Sequence, residues 1–134
     1  MILVDTSIWV EFLKQSANYS NEMESILESR KVISIEPVFS ELLYGSRSEK
    51  ERNTILAYWK VLPRIKFTEG SFIESADFAN RNNYHNVGVG IIDSVLIKAA
   101  MDNNFRIWTL DKILLNCLQN KFIYKTLVEG SKIK

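Results

Sequence analysis

The amino-acid sequence predicts an α/β protein, a three-layer α/β/α sandwich whose central sheet is mostly parallel. Short apolar runs, such as Ile2-Leu3-Val4 and the segment 105–110, have the character of strands buried on both faces. Between them lie longer stretches whose apolar residues recur at helical spacing. Strands alternating with helices favour parallel pairing, because each helix carries the chain back across the sheet. At 134 residues, 46% apolar and 25% charged, the chain suits a single domain over residues 1–134 with one core.

Ile2-Leu3-Val4 is the first strand. Thr6 or Ser7 can cap the helix that follows, whose apolar face is Ile8, Trp9, Phe12 and Leu13. Residues 21–30 read as a second helix and 31–35 as a second strand. Pro37 then opens a helix, where its missing N–H costs nothing, and the stripe Val38, Phe39, Leu42, Leu43 runs to Gly45. Ser48-x-x-Glu51 and Ser71-x-x-Glu74 both have the form of capping boxes, each ahead of a helical stripe. Val61-Leu62-Pro63 between them is a short strand or a connector. After the loop Val87-Gly-Val-Gly90, a strongly apolar helix runs from Ile91 to Asn103. A strand over 105–110 and a helix over 111–119 follow, and 122–128 alternates as a last strand. The basic tail Lys132-Ile-Lys134 is expected to be mobile.

Composition removes several classes of function. The net charge of +1 names no partner, although a local patch can still bind phosphates. The single cysteine, Cys117, excludes an internal disulfide framework, fits a reducing cytoplasm, and sits in an apolar stretch that suits packing. His85 is the sole histidine, so a histidine-pair ribonuclease is excluded within one chain, and its loop setting reads as surface. Neither a dinucleotide-binding nor a P-loop glycine pattern occurs. The opening apolar residues meet Asp5 too soon for a signal core, and no apolar run approaches the roughly 20 residues of a membrane span.

The chemistry lies in the acids. In a parallel sheet the carboxyl ends of the strands and the amino ends of the following helices share one edge, where ligands bind. Asp5 follows the first strand, and Glu41 lies about a turn into the helix after the second. Asp93 lies in the first turn of the 91–103 helix, and Asp111 follows the 105–110 strand. Of five aspartates in the chain, three are placed at that edge. Each also has a plainer role: Asp5 and Asp111 as helix caps, Asp93 as a residue favoured near a helix N-terminus. Glu41, beside Leu42-Leu43, is expected at the border of a buried face, where an unpaired carboxylate is costly. Four converging carboxylates repel one another unless a cation lies between them. An all-oxygen set suits Mg²⁺ or Mn²⁺, which can activate water and steady the charge on a phosphate under attack.

These residues carry a family resemblance. Ile2-Leu3-Val4-Asp5-Thr6-Ser7, Pro37-x-x-x-Glu41-Leu42-Leu43-Tyr44-Gly45, Asp93-Ser94-x-Leu96-Ile97-x-Ala99-Ala100 and Trp108-Thr109-Leu110-Asp111 resemble, in order, four motifs of the PIN-domain ribonucleases. The length is similar to that of the VapC-type toxins of toxin–antitoxin pairs. The resemblance implies Mg²⁺- or Mn²⁺-dependent cleavage of RNA, transfer RNA included. It makes Asp5 and Asp93 the principal metal ligands, with Glu41 and Asp111 completing the acidic pocket. The hydroxyls of Thr6, Ser7 and Thr109 are its auxiliary polar groups. It also implies a homodimer and a cognate antitoxin that covers the pocket. Ser94 departs from the alanine common in the family, and residues 62–90 carry little family signature.

Other features are weaker. Arg47, Lys50, Arg52 and Lys60 form a basic run that Glu49 and Glu51 balance, as on a solvated helix face. Arg47, just past Gly45, is the best single candidate for an RNA phosphate contact. Trp9, Phe12, Tyr44, Tyr58 and Trp59 are expected mostly in the core, with some free to line a partner groove. The competing functions are a nuclease acting on DNA or structured nucleic acid and a non-catalytic PIN-like binding module. A response-regulator receiver fits less well, because Asp5 is followed by Thr6-Ser7 rather than a second acid.

Overall fold

A computed structural model describes residues 1–126 of the chain. Three strands, β1 (Ile2–Val4), β2 (Val32–Ile33) and β3 (Arg106–Trp108), alternate with seven helices among these residues. The helices are α1 (Thr6–Leu13), α2 (Ala17–Glu28), α3 (Glu36–Tyr44), α4 (Glu49–Val61), α5 (Ser71–Arg81), α6 (Ile91–Asn103) and α7 (Lys112–Cys117). All strand pairing is parallel, in the order β2-β1-β3, with Leu3 opposite Ile33 on one side and Ile107 on the other. Single parallel bridges extend the sheet at both edges, Ser34 with Arg64 and Ile107 with Ile123. The chain thus has the expected α/β/α layering: α1 packs on α2 and α3, α3 on α4, and separately α5 on α6.

The central strand is the most fully covered part of the sheet. Ile2, Leu3 and Val4 are all buried, so both faces of β1 are covered, as a continuous apolar run requires. Trp9 anchors the α1 layer, with its ring edge-on to Phe12 and Phe39 and tilted against Tyr58. Tyr44 is the exception among the early aromatics, for its side chain is 95% exposed.

Several local expectations need correction. Asp5, rather than Thr6 or Ser7, is the N-cap of α1, and its carboxylate accepts from Thr6 N at 2.7 Å. The second helix begins at Ala17, not at 21, because Ser16 holds the extended cap conformation. Ser48 does cap α4, accepting from Glu51 N at 3.0 Å. Ser71 does not cap α5: Gly70, at φ +92°, takes that place, a left-handed conformation that glycine adopts without strain. Ser71 Oγ instead accepts from Thr68 N.

Val61 ends α4, Leu62-Pro63 is a connector, and the parallel bridge to Ser34, just past β2, comes at Arg64. Of the last strand expected over 122–128, the described residues show the bridge at Ile123, preceded by a 3-10 turn over Asn120–Phe122. Beyond it the chain turns to α2, where the hydroxyls of Tyr124 and Thr126 both donate to Glu22. Leu127, Val128 and the basic tail lie outside the described residues.

Candidate active site

Each of the acids is delivered by a local device. Asp5 terminates β1 and starts α1, so it stands at the carboxyl edge of the sheet by construction. Asp111 does the same between β3 and α7, where Oδ1 accepts from Ile113 N at 2.9 Å and Leu114 N at 3.4 Å. Gly90 caps α6, which places Asp93 in its first turn. Glu41 projects from the second turn of α3. The two capping aspartates therefore serve a structural purpose without leaving the edge.

The buried acid is Asp5, at 7% exposure. Thr109 Oγ1 lies 2.6 Å from Asp5 Oδ2, and Ser7 Oγ lies 3.2 Å from the same oxygen. The two hydroxyls are also 3.4 Å from each other. Proton inventory fixes their directions. A hydroxyl has one proton, and the amides of Leu110 and Asp111 donate to Ser7 Oγ and Thr109 Oγ1, both at 3.0 Å. Each hydroxyl is thus an acceptor toward the backbone and a donor toward Asp5. A third hydroxyl, Thr6 Oγ1, donates to Glu41 Oε1 at 2.8 Å and ties α3 to the start of α1. Glu41 itself is exposed, not set at a buried border, so its position rests on that bond and not on the cost of burial.

Electrostatics bring the four acids together as one set. The Asp93 carboxyl is pushed up to about 6, first by burial and then by the charges of Asp5, Asp111 and Glu41 in that order. No basic side chain among the described residues pulls it back. Mutual influence is not yet coordination. Among the described residues no three Asp, Glu, His or Cys side chains are gathered tightly enough to hold an ion as they stand. Carboxylates without a cation between them repel one another. The donor chemistry is oxygen only, which fits Mg²⁺ or Mn²⁺ and not a thiolate- or imidazole-binding metal.

Ser94, the departure from the family pattern, is buried and donates to Gly90 O at 2.8 Å, closing the first turn of α6. It leaves Asp93 untouched. Arg47 is exposed and shares with Glu41 the wall of a cavity beside the acids. Sequence reading missed Lys14 and Glu51, which also line that cavity. The only available signal was that Glu51 lies four residues past Arg47, in the first turn of the next helix. His85 is exposed in a 3-10 turn, as expected of a surface residue. Burial pushes the half-buried Cys117 thiol up, which keeps it in its unreactive form.

A parallel sheet with four mutually influencing acids at its carboxyl edge defines an α/β protein with an acidic ligand edge. The PIN-domain family model matches residues 2–116, and the chain belongs to the PIN-domain family, whose members are generally nucleases. The fold is similar to the crystal structure of VapBC2 from Rickettsia felis bound to a DNA fragment from their promoter. There the TM-score is 0.70 at 19% identity, over 93% of this chain and 98% of that one. It is also similar to PAE2754 from Pyrobaculum aerophilum, with a TM-score of 0.60 at 12% identity, over 99% and 96% of the two chains. Comparison with curated protein sequences gives no match. No helix among the described residues is long and apolar enough to cross a membrane.

Proposed function

We propose that this chain is a metal-dependent endoribonuclease and the toxin of a toxin–antitoxin pair. The observation that supports the reading best is the Asp93 carboxyl, pushed up to about 6 by burial first and then by the charges of Asp5, Asp111 and Glu41. Asp5 and Asp93 would hold Mg²⁺ or Mn²⁺. When bound, such an ion lowers the pKa of water and stabilises charge on a phosphate.

The chain's own residues do the rest. Thr109 and Ser7 orient the Asp5 carboxylate through one oxygen. Thr6 fixes one oxygen of Glu41, leaving the other free to orient or deprotonate an attacking water. Asp111 spends Oδ1 on its helix cap and keeps Oδ2 for the same duty. Attack in line on phosphorus then breaks the bond to the 3′ oxygen and leaves a 5′-phosphate.

The likeness to a VapBC structure supports an antitoxin partner, and its family supports a homodimer. The test is cleavage of labelled single-stranded and transfer RNA with Mg²⁺, Mn²⁺ or chelator, comparing the native chain with Asp5→Asn. Metal-dependent cutting that the variant loses is expected. A folded, inhibitor-free, metal-loaded chain that cuts DNA instead, or nothing, overturns the reading in favour of a DNA nuclease or a binding module.

A further inference from the structure

Beside the acids, α1, α3 and the start of α4 enclose a cavity of about 430 Å³ whose wall includes Glu41. Val10, Leu13 and Leu42 give it an apolar lining, and Arg47 and Glu51 bring opposite charges to it. Neither of those two charges is spent elsewhere: among the described residues Arg47 and Glu51 form no ion pair with each other or with a neighbour. A guanidinium without a carboxylate is suited to a phosphate, which it meets through two parallel N–H bonds. A half-buried carboxylate is suited to an amino group.

The position of the cavity decides between occupants. The cavity shares Glu41 with the acid set, so a nucleic-acid strand whose scissile phosphate lies at the acids can continue into it. Its volume lies within the range of about 300–1,000 Å³ typical of small-molecule sites, room enough for the base of a nucleotide. Bases in a duplex are turned inward, so a concave apolar slot of this kind receives an unpaired one.

Building on the nuclease reading above, we propose that the cavity is a nucleotide subsite for single-stranded RNA, holding the residue that neighbours the scissile phosphate. Arg47 donates to its phosphate, and Val10, Leu13 and Leu42 lie under its base. Glu51 accepts from the exocyclic amino group of that base. Cytosine, adenine and guanine carry such a group and uracil does not, so Glu51 is the specificity-determining residue, selecting against uridine at one fixed position beside the cut.

The test uses the full chain with Mg²⁺ or Mn²⁺ on an RNA pool randomised in sequence, with the new ends read by sequencing. Depletion of uridine at one position next to the cut is expected, and Glu51→Gln should flatten it. Arg47→Gln should raise KM roughly tenfold with kcat little changed, and lower the salt slope of binding by about one. Arg47→Lys should recover part of the loss. Both residues lie at the surface, and a thermal melt matching the native one establishes that the variants fold. Native base preference and KM in both variants overturn the proposal while leaving the nuclease reading standing. If Arg47→Gln weakens a protein partner while RNA cleavage is unchanged, the cavity belongs to that partner and the proposal fails. If the folded, metal-loaded native chain cuts no RNA at all, the nuclease reading itself fails and takes the subsite with it.

Discussion

Thr109 Oγ1 lies 2.6 Å from Asp5 Oδ2, a bond between residues 104 apart that locks the end of β3 to the end of β1. The same oxygen accepts from Asp111 N, so one hydroxyl links two of the four acids. Thr109→Val keeps the shape of the side chain and removes both bonds. A buried carboxylate oxygen that loses its strongest donor, together with an amide that loses its acceptor, should cost about 1–3 kcal/mol. A melting temperature lower by several degrees is expected, with recovery in Thr109→Ser. Unchanged melting in the valine variant would show that the bond contributes nothing to folding.

Asp93 makes stability depend on pH in a direction opposite to the usual carboxylate. Its folded-state value, about 6, is above the ordinary 3.8. The folded protein therefore binds a proton between these values that the unfolded chain does not. The stability from this group is fully present below pH 3.8 and is lost as pH rises through about 6. Because Asp93 is partly solvated, a loss of about 1–2 kcal/mol is expected, below the full value of the shift. Asp93→Asn, measured with chelator, should be the more stable chain at pH 7.5 and should lose the difference at pH 4. Added Mg²⁺ or Mn²⁺ should raise the melting temperature of the native chain and not that of the variant. The opposite order at pH 7.5 would remove the acidic cluster as a source of strain.

How much of this was legible in the sequence follows from where the forces are local. The parallel order and the edge positions of Asp5 and Asp111 were readable, because an acid directly between a strand and a helix has no other place to go. The α6 boundaries were readable too, since Asn104 ends that helix in the left-handed conformation at φ +57°. Ser71 misled because its spacing to Glu74 has the form of a cap, while the backbone freedom of Gly70 decided the turn. Glu41 was placed correctly along α3 but given the wrong environment. Its exposure and its bond to Thr6 are tertiary facts that neighbours in sequence do not encode. The course of residues 124–126 is of the same kind, since Glu22 on α2 collects Tyr124 and Thr126 from more than 100 residues away.

The bond from Thr6 to Glu41 separates positioning from folding. Both groups are near solvent, so Thr6→Val should alter stability by less than about 0.5 kcal/mol. It frees Glu41 to sample other rotamers. If Glu41 orients the attacking water, kcat should fall roughly tenfold to a hundredfold, in line with general-base contributions of about 10²–10⁴, while KM changes little. Thr6→Ser restores the donor and should restore kcat. A serine variant as slow as the valine one would show that the methyl group, not the hydroxyl, matters at this position.

The chemistry of the cut ends tests the site without any variant. With one exposed histidine and no second base of that type, the chain has no pair of groups for an attack by the ribose 2′ hydroxyl that passes a proton between imidazoles. The titratable groups that influence one another at the site are carboxylates, to which the proposed function gives the orienting of water. Hydrolysis should therefore leave a 5′-phosphate and a 3′ hydroxyl, and replacing every 2′ hydroxyl beside the cut with hydrogen should not stop the chemical step. Mass spectrometry of the fragments distinguishes these ends from a 2′,3′-cyclic phosphate by the mass of one water and by which fragment keeps the phosphate. A cyclic phosphate would mean that the 2′ oxygen is the nucleophile, and the water-orienting roles given to Glu41 and Asp111 would have to be abandoned.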